Sequence, residues 1–126
     1  MAGKILLVDD NEELCKNLSD ILEFKGYDVN TAFNGSQAIE NIKSSAYDLV
    51  VMDVRMPGLS GIETLNLAKQ INPDLKVILI TAFADDFVYK TGLKSSELEI
   101  VQKPMDIDNF LLRIEAIMSA KKKAGQ

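Results

Sequence analysis

Leu49-Val50-Val51-Met52-Asp53 is a run of four apolar residues closed by a carboxylate. The same pattern stands earlier as Ile5-Leu6-Leu7-Val8-Asp9-Asp10 and later as Val77-Ile78-Leu79-Ile80-Thr81. Short apolar runs with polar ends read as strands, and their unbroken apolarity means that both faces of each strand are covered. Between the runs, apolar residues return at helical spacing. Leu14, Leu18, Ile21 and Leu22 do so until Gly26, and Cys15 joins Leu18 and Leu22 on one face. Asp28 to Phe33 reads as a further strand, and Asn34-Gly35 leads into a helix carrying Ala38, Ile39 and Ile42. Beyond Asp53, the turn Met56-Pro57-Gly58 precedes a helix from about Gly61 that buries Ile62, Leu65, Ala68 and Ile71. Asn72-Pro73 ends it, because proline restricts the residue before it and lacks a donor. Asp85 to Gly92 carries only a weak helical stripe in Phe87, Val88 and Tyr89, whereas Glu97 to Val101 alternates at first like a strand. From Asp106, the positions Ile107, Phe110, Leu111, Ile114, Ile117 and Met118 keep strict helical phase. Five strand and helix pairs with short connections predict an open, doubly wound α/β fold, (βα)5, whose five-stranded, mostly parallel sheet has helices on both faces.

The length of 126 residues suits one domain. The folded unit is expected over residues 1–121, with 122–126 a basic C-terminal tail or the start of a linker; the basic run Lys121 to Lys123 reads as a solvated helix end. At 47% hydrophobic and 26% charged, the composition is that of a globular chain. A formal net charge of -5 argues against a nucleic-acid-binding surface, which needs clustered Lys and Arg. The apolar runs are too short to span a bilayer and no charged-then-apolar leader opens the chain, so no membrane contact and a cytoplasmic location are expected. The single Cys15 precludes an internal disulfide and fits a reducing compartment. There is no histidine, which removes His-based triads, the usual zinc ligand sets and imidazole bases. Chemistry here must use carboxylate, hydroxyl, amine or a bound cation.

In open α/β sheets, ligands bind outside the carboxyl ends of the strands. The polar residues at those ends are Asp9, Asp10, Asp53, Thr81 and Lys103, the last followed by Pro104. Singly, each has a structural reading: Asp9 or Asp10 as a cap of the first helix, Asp53 as a turn opener, Thr81 as a strand end. The set of three carboxylates, one hydroxyl and one amine on one edge argues for more. Two unit charges about 4 Å apart repel by roughly 4 kcal/mol at an effective dielectric of about 20, and a cation resolves this. Oxygen ligands with room for water and phosphate oxygens favour Mg²⁺, with Mn²⁺ the alternative. Such an ion would neutralise a transferring phosphoryl group and orient a carboxylate nucleophile, with Lys103 and Thr81 contacting the phosphoryl oxygens from the far side. Without histidine, the chain cannot supply a phosphohistidine itself, so a donor must be another molecule or domain.

Ile5-Leu6-Leu7-Val8-Asp9-Asp10, Val51-Met52-Asp53-Val54-Arg55-Met56-Pro57-Gly58, Ile80-Thr81-Ala82 and Gln102-Lys103-Pro104, in this order and spacing, resemble the response-regulator receiver family over essentially the whole chain. The resemblance implies the flavodoxin-like strand order 2-1-3-4-5, for which the chemotaxis receiver is a standard example. It implies Asp53 as the phosphoacceptor, Asp10 and Asp53 as direct Mg²⁺ ligands with the backbone carbonyl of Arg55, and Asp9 acting through water. It implies Thr81 as the switch hydroxyl, Lys103 as its partner at the phosphoryl group, and a cis peptide between Lys103 and Pro104. The donor would be a histidine kinase or a histidine phosphotransfer protein. An output partner or effector domain would read a population shift in the face made by the fourth helix, fifth strand and fifth helix. The chain would be a signalling phosphoacceptor, catalysing only its own phosphorylation and dephosphorylation.

Two departures from the family pattern fall on that face. Ile100 stands at the switch position where Tyr or Phe is usual, and Ser96-Glu97 replaces the usual Gly-Ala. Arg55 and Phe83, two residues beyond Asp53 and Thr81, would flank the path of attacking water and set the phosphoryl lifetime. A haloacid-dehalogenase-like aspartyl phosphatase would carry Asp-x-Asp after the first strand, which Asp9-Asp10 does not match. A flavodoxin-like cofactor binder would need a Ser/Thr/Gly-rich loop where this chain has Asp10-Asn11-Glu12-Glu13, and Lys90 to Ser95 lacks the glycines of a phosphate loop. A degenerate receiver acting only as a protein-interaction module is the remaining alternative.

Overall fold

The computed structural model describes residues 3–54, 61–81, 98–102 and 106–124, with the side chains of Leu98 and of 121–124 outside the description. Five strands, β1 (Lys4–Val8), β2 (Asp28–Ala32), β3 (Leu49–Asp53), β4 (Lys76–Thr81) and β5 (Leu98–Gln102), form one sheet. Its order is β2-β1-β3-β4-β5 and every pairing is parallel. The described helices are α1 (Glu12–Phe24), α2 (Gly35–Ser44), α3 (Gly61–Ile71) and α4 (Ile107–Ala124), the last being the fifth helix of the sequence pattern. The stretch from Asp85 to Gly92 lies outside the described residues. No helix among the described residues is long and apolar enough to cross a membrane.

The alternation of side chains along a strand explains why the apolar runs are unbroken. Leu6, Val8, Val50, Met52, Val77 and Leu79 face one way, into a core with Ala38, Ile39 and Ile42 of α2 and Leu65 and Ala68 of α3. Ile5, Leu7, Leu49, Val51, Ile78 and Ile80 face the other way, against Leu18 and Leu22 of α1 and Phe110, Ile114 and Met118 of α4. Each fully buried side chain of this size contributes about 1.5–3 kcal/mol relative to exposure. A polar residue in the middle of β3 would therefore break one core or the other.

Local chemistry sets the helix ends. The Asn11 side chain accepts the Leu14 N–H at 3.0 Å and caps α1, and Asn34 accepts the Gln37 N–H at 2.9 Å and caps α2. At the other end of α1, Gly26 has φ of 99°, its N–H reaches the Glu23 carbonyl at 2.9 Å, and the Tyr27 N–H reaches the Leu22 carbonyl at 3.1 Å. That pair of bonds closes the helix in a Schellman motif, which needs the left-handed conformation glycine adopts without strain. β2 ends at Ala32, one residue short of the expected Phe33, whose N–H instead donates to the Gln37 side chain at 2.9 Å.

Ile71 departs from expectation: it is 39% exposed instead of buried with Leu65 and Ala68. It is the last residue of α3, at the margin of the apolar stripe. The turn after it, closed by the Leu75 N–H on the Asn72 carbonyl at 3.1 Å, brings Leu75 into the core instead. α4 runs on to Ala124, so Lys121 to Lys123 lie along its final turn.

α3 starts where it does because Gly61 has no side chain. A Cβ there would stand 2.8 Å from the Val54 Cα and 3.0 Å from the Asp53 and Val54 carbonyl oxygens, all backbone atoms that cannot swing aside. Alanine is intrinsically the better helix former by about 1 kcal/mol, yet Gly61→Ala is expected to lower stability by about 1–3 kcal/mol through this overlap. Denaturant unfolding of the two proteins checks this, and an unchanged or raised midpoint would refute the close approach.

Cys15 is core, as its spacing indicates, and its thiol donates to the Asp9 carbonyl at 3.5 Å. Burial foremost, then the Asp9 carboxylate, with smaller pushes from Asp10 and Glu12, raises it from its ordinary 9.0 to about 11. The folded state thus holds this proton more tightly than the unfolded chain. The stability it contributes is whole below pH 9.0 and is lost as pH rises towards about 11. In metal-free buffer the fall in Tm across that window should be steeper for the parent than for Cys15→Ala; parallel slopes would contradict the assignment.

Candidate functional site

The register of the sheet gathers the polar strand ends. Val8 lies beside Met52, and Asp53 beside Ile80, so Asp9 after β1, Asp53 ending β3 and Thr81 ending β4 arrive at the same edge. Two backbone bonds extend the pairing there: the Asp9 N–H donates to the Ala32 carbonyl at 3.1 Å, and the Val54 N–H to the Ile80 carbonyl at 3.0 Å. Asp9, Asp53 and Thr81 are only 6%, 7% and 8% exposed, while Asp10 faces solvent. One carboxylate oxygen from each of Asp9, Asp10 and Asp53 lies within 4.8 Å of the others.

The capping alternative for the acidic pair fails on geometry. Asn11, not Asp9 or Asp10, caps α1, and one Asp9 oxygen accepts the Asn11 N–H at 3.0 Å. The helix is therefore tied to the acidic site through two consecutive hydrogen bonds, Asn11 to Asp9 and Leu14 to Asn11. Sequence reasoning passed over Asn11, although an asparagine just before an apolar helical stripe is the ordinary sign of a cap.

Three carboxylates this close, two of them buried, cost repulsion and desolvation that a cation would offset. The donors are hard oxygens only, and Asp10 reaches water, so the set fits a divalent cation of the magnesium type that keeps some positions for water or a phosphate oxygen. Of the residues singled out by the sequence, Asp9, Asp10 and Asp53 are brought together, with Thr81 on the adjoining strand end. Ile100 pairs with Leu79 in mid-strand and, half-buried, packs against the core beneath α2 and α3. Arg55, Phe83, Lys103, the Lys103-Pro104 peptide, Ser96 and Glu97 lie outside the described residues.

Known proteins are similar to this chain in sequence and in fold. The family model described as "Response regulator receiver domain" matches residues 5–115. The transcriptional regulatory protein CpxR homolog of Haemophilus influenzae is 40% identical over 92% of this chain and 50% of its own length. The transcriptional regulatory protein ZraR of Klebsiella oxytoca is 37% identical over 91% of this chain and 26% of its own. The chain thus spans between a quarter and a half of the length of these curated relatives. Among solved structures, the response regulator protein TrrA of Thermotoga maritima, in complex with Mg(2+)-BeF, superposes with a TM-score of 0.79 at 34% identity, covering 91% of this chain and 98% of that one. A CheY-like receiver domain protein of Methanospirillum hungatei JF-1 reaches 0.85 at 26% identity, covering 98% and 99%. A likeness this long, in sequence and in fold, leads to one conclusion: the chain belongs to the response regulator receiver domain family.

Proposed function

We propose that Asp53 is where this receiver accepts a phosphoryl group, from the phosphohistidine of a histidine kinase or histidine phosphotransfer protein, and that the modified protein controls an output partner or effector domain. The observation that carries this reading is the gathering of Asp9, Asp10 and Asp53 within 4.8 Å at the carboxyl edge, with Asp53 7% exposed.

In this reading an Asp53 carboxylate oxygen forms a P–O bond as the donor's P–N bond breaks and the imidazole leaves with the bonding electrons. Asp10 and Asp53, with the Arg55 carbonyl, would hold Mg²⁺, or Mn²⁺ in its place, and Asp9 would act through water. The ion, when bound, supplies positive charge against the transferring phosphoryl oxygens. Asp53 is held in line by its place at the end of β3, and the buried Thr81 hydroxyl on the adjoining strand would donate to a phosphoryl oxygen. Lys103 adds a second cationic donor there. The protein catalyses its own phosphorylation and its later hydrolysis, with Arg55 and Phe83 setting the pace of water attack.

The switch would run from Thr81 to Ile100 and present its change on the face of the fourth helix, β5 and the C-terminal helix, where Arg113 and Glu99 pair at 3.4 Å. The net charge of -5 supports a segment that leaves nucleic acid to other parts of a longer regulator. The receiver would occupy 1–121 and a basic tail or linker start 122–126, in the cytoplasm, where its kinase donors work.

Intact-mass analysis after incubation with a small-molecule phosphodonor and Mg²⁺ is expected to show one added phosphoryl group on the parent and none on Asp53→Asn. Equal gain by both would remove Asp53 from its role. Followed over time, the decay of that mass should change in Arg55→Ala and Phe83→Ala. Mg²⁺ is also expected to raise the parent's Tm by binding only the folded state, and Asp10→Ala to abolish the gain; an equal shift in both would move the metal elsewhere.

A further inference from the structure

Outside the acidic site, two side chains break the pattern of a polar surface. Phe24, the last residue of α1, is 88% exposed, and Leu112 on α4 is 62% exposed, the two most exposed large apolar residues among those described. One of them lines a groove and the other stands next in sequence to a residue that does. Leu112 lines it together with Lys25, Tyr27, Asp108, Leu111 and Glu115, and Phe24 directly precedes Lys25; the groove has a volume of about 520 Å³. Its floor is apolar and aromatic, and its rim carries one cation and two anions. Among the described residues, Lys25, Asp108 and Glu115 make no side-chain ion pair, while Arg113 on α4 is engaged by Glu99 of β5.

A projecting ring beside a groove wide enough to take it, with unpaired charges of both signs around it, is complementary to itself. A two-fold axis between the Phe24 ends of two copies would set each ring into the other's groove and bring each Lys25 opposite the partner's acids, the isologous arrangement of most homodimers. A surface-exposed aromatic seated in a partner's pocket and ringed by charges is the usual make-up of an interface hot spot. We propose that this groove is the self-association surface of the protein, its occupant Phe24 from a second copy of this chain. The inference is independent of the phosphoacceptor reading. It uses the end of α1 opposite the acidic site and residues of α4 other than the Arg113 that pairs with β5.

Sedimentation velocity over a concentration series of the full chain, from low micromolar to near millimolar, tests it. The parent is expected to move towards twice the monomer mass, and Phe24→Asp, an exposed change that leaves the fold intact by circular dichroism, to weaken association at least about tenfold. Lys25→Glu alone should be monomeric, as should the double variant Asp108→Lys/Glu115→Lys. Mixed together, these two should associate, because every rim contact is again between opposite charges. A parent that stays monomeric throughout overturns the proposal. So does association that persists in Phe24→Asp, or a mixture no more associated than its components. If Phe24→Asp only slows phosphotransfer from a donor kinase while the parent is monomeric, the groove belongs to the donor and the proposal is equally lost.

Discussion

The structure depends on strands that are apolar on both faces. Because Leu49 to Met52 must satisfy one core beneath α2 and α3 and another beneath α1 and α4, no polar side chain is tolerated inside the central strand β3. Polar chemistry is displaced to the strand ends. Parallel pairing then puts all carboxyl ends on one side, and the register brings Asp9 level with Asp53 and Thr81 one residue further along the same edge. The acidic site is a by-product of the hydrophobic requirement: the positions available to carboxylates are those at which the apolar run has stopped.

Holding the site together is a matter of small contacts near that edge. Asp9 divides its role, one oxygen fixing the start of α1 through Asn11 and its carbonyl receiving the Cys15 thiol, so its carboxylate stays beside Asp10 and Asp53. Gly61 works by absence, letting α3 begin against the backbone of Asp53 and Val54. Asn11, Cys15 and Gly61 do not bear the chemistry, yet each limits where the carboxylates can lie.

What could be read from the sequence follows physical scale. The strands and the acidic trio were legible because burial on two faces leaves a run of apolar residues with a polar stop. The long stripe of α4 was legible for the same reason, seven-residue periodicity surviving over many turns. Ile71 was misread because a helix end lies where the stripe's phase no longer says which residue the core will take, and the turn to Leu75 decides it instead. The strand order was not derivable from pattern; it came with the family resemblance and agrees with the observed sheet. Tight backbone approach at Gly61 and the groove beside Phe24 have no sequence signature, since both depend on elements distant in the chain.

The two hydrogen bonds that tie Asp9 to Asn11 and Asn11 to Leu14 give α1 a mechanical character. A helix from Glu12 to Phe24 is a stiff rod of about 20 Å, pinned at one end to the carboxylate cluster. A tilt of about 2° at the pinned end displaces the far end by about 0.7 Å by simple leverage over that length. Phe24 is the tip of that pointer.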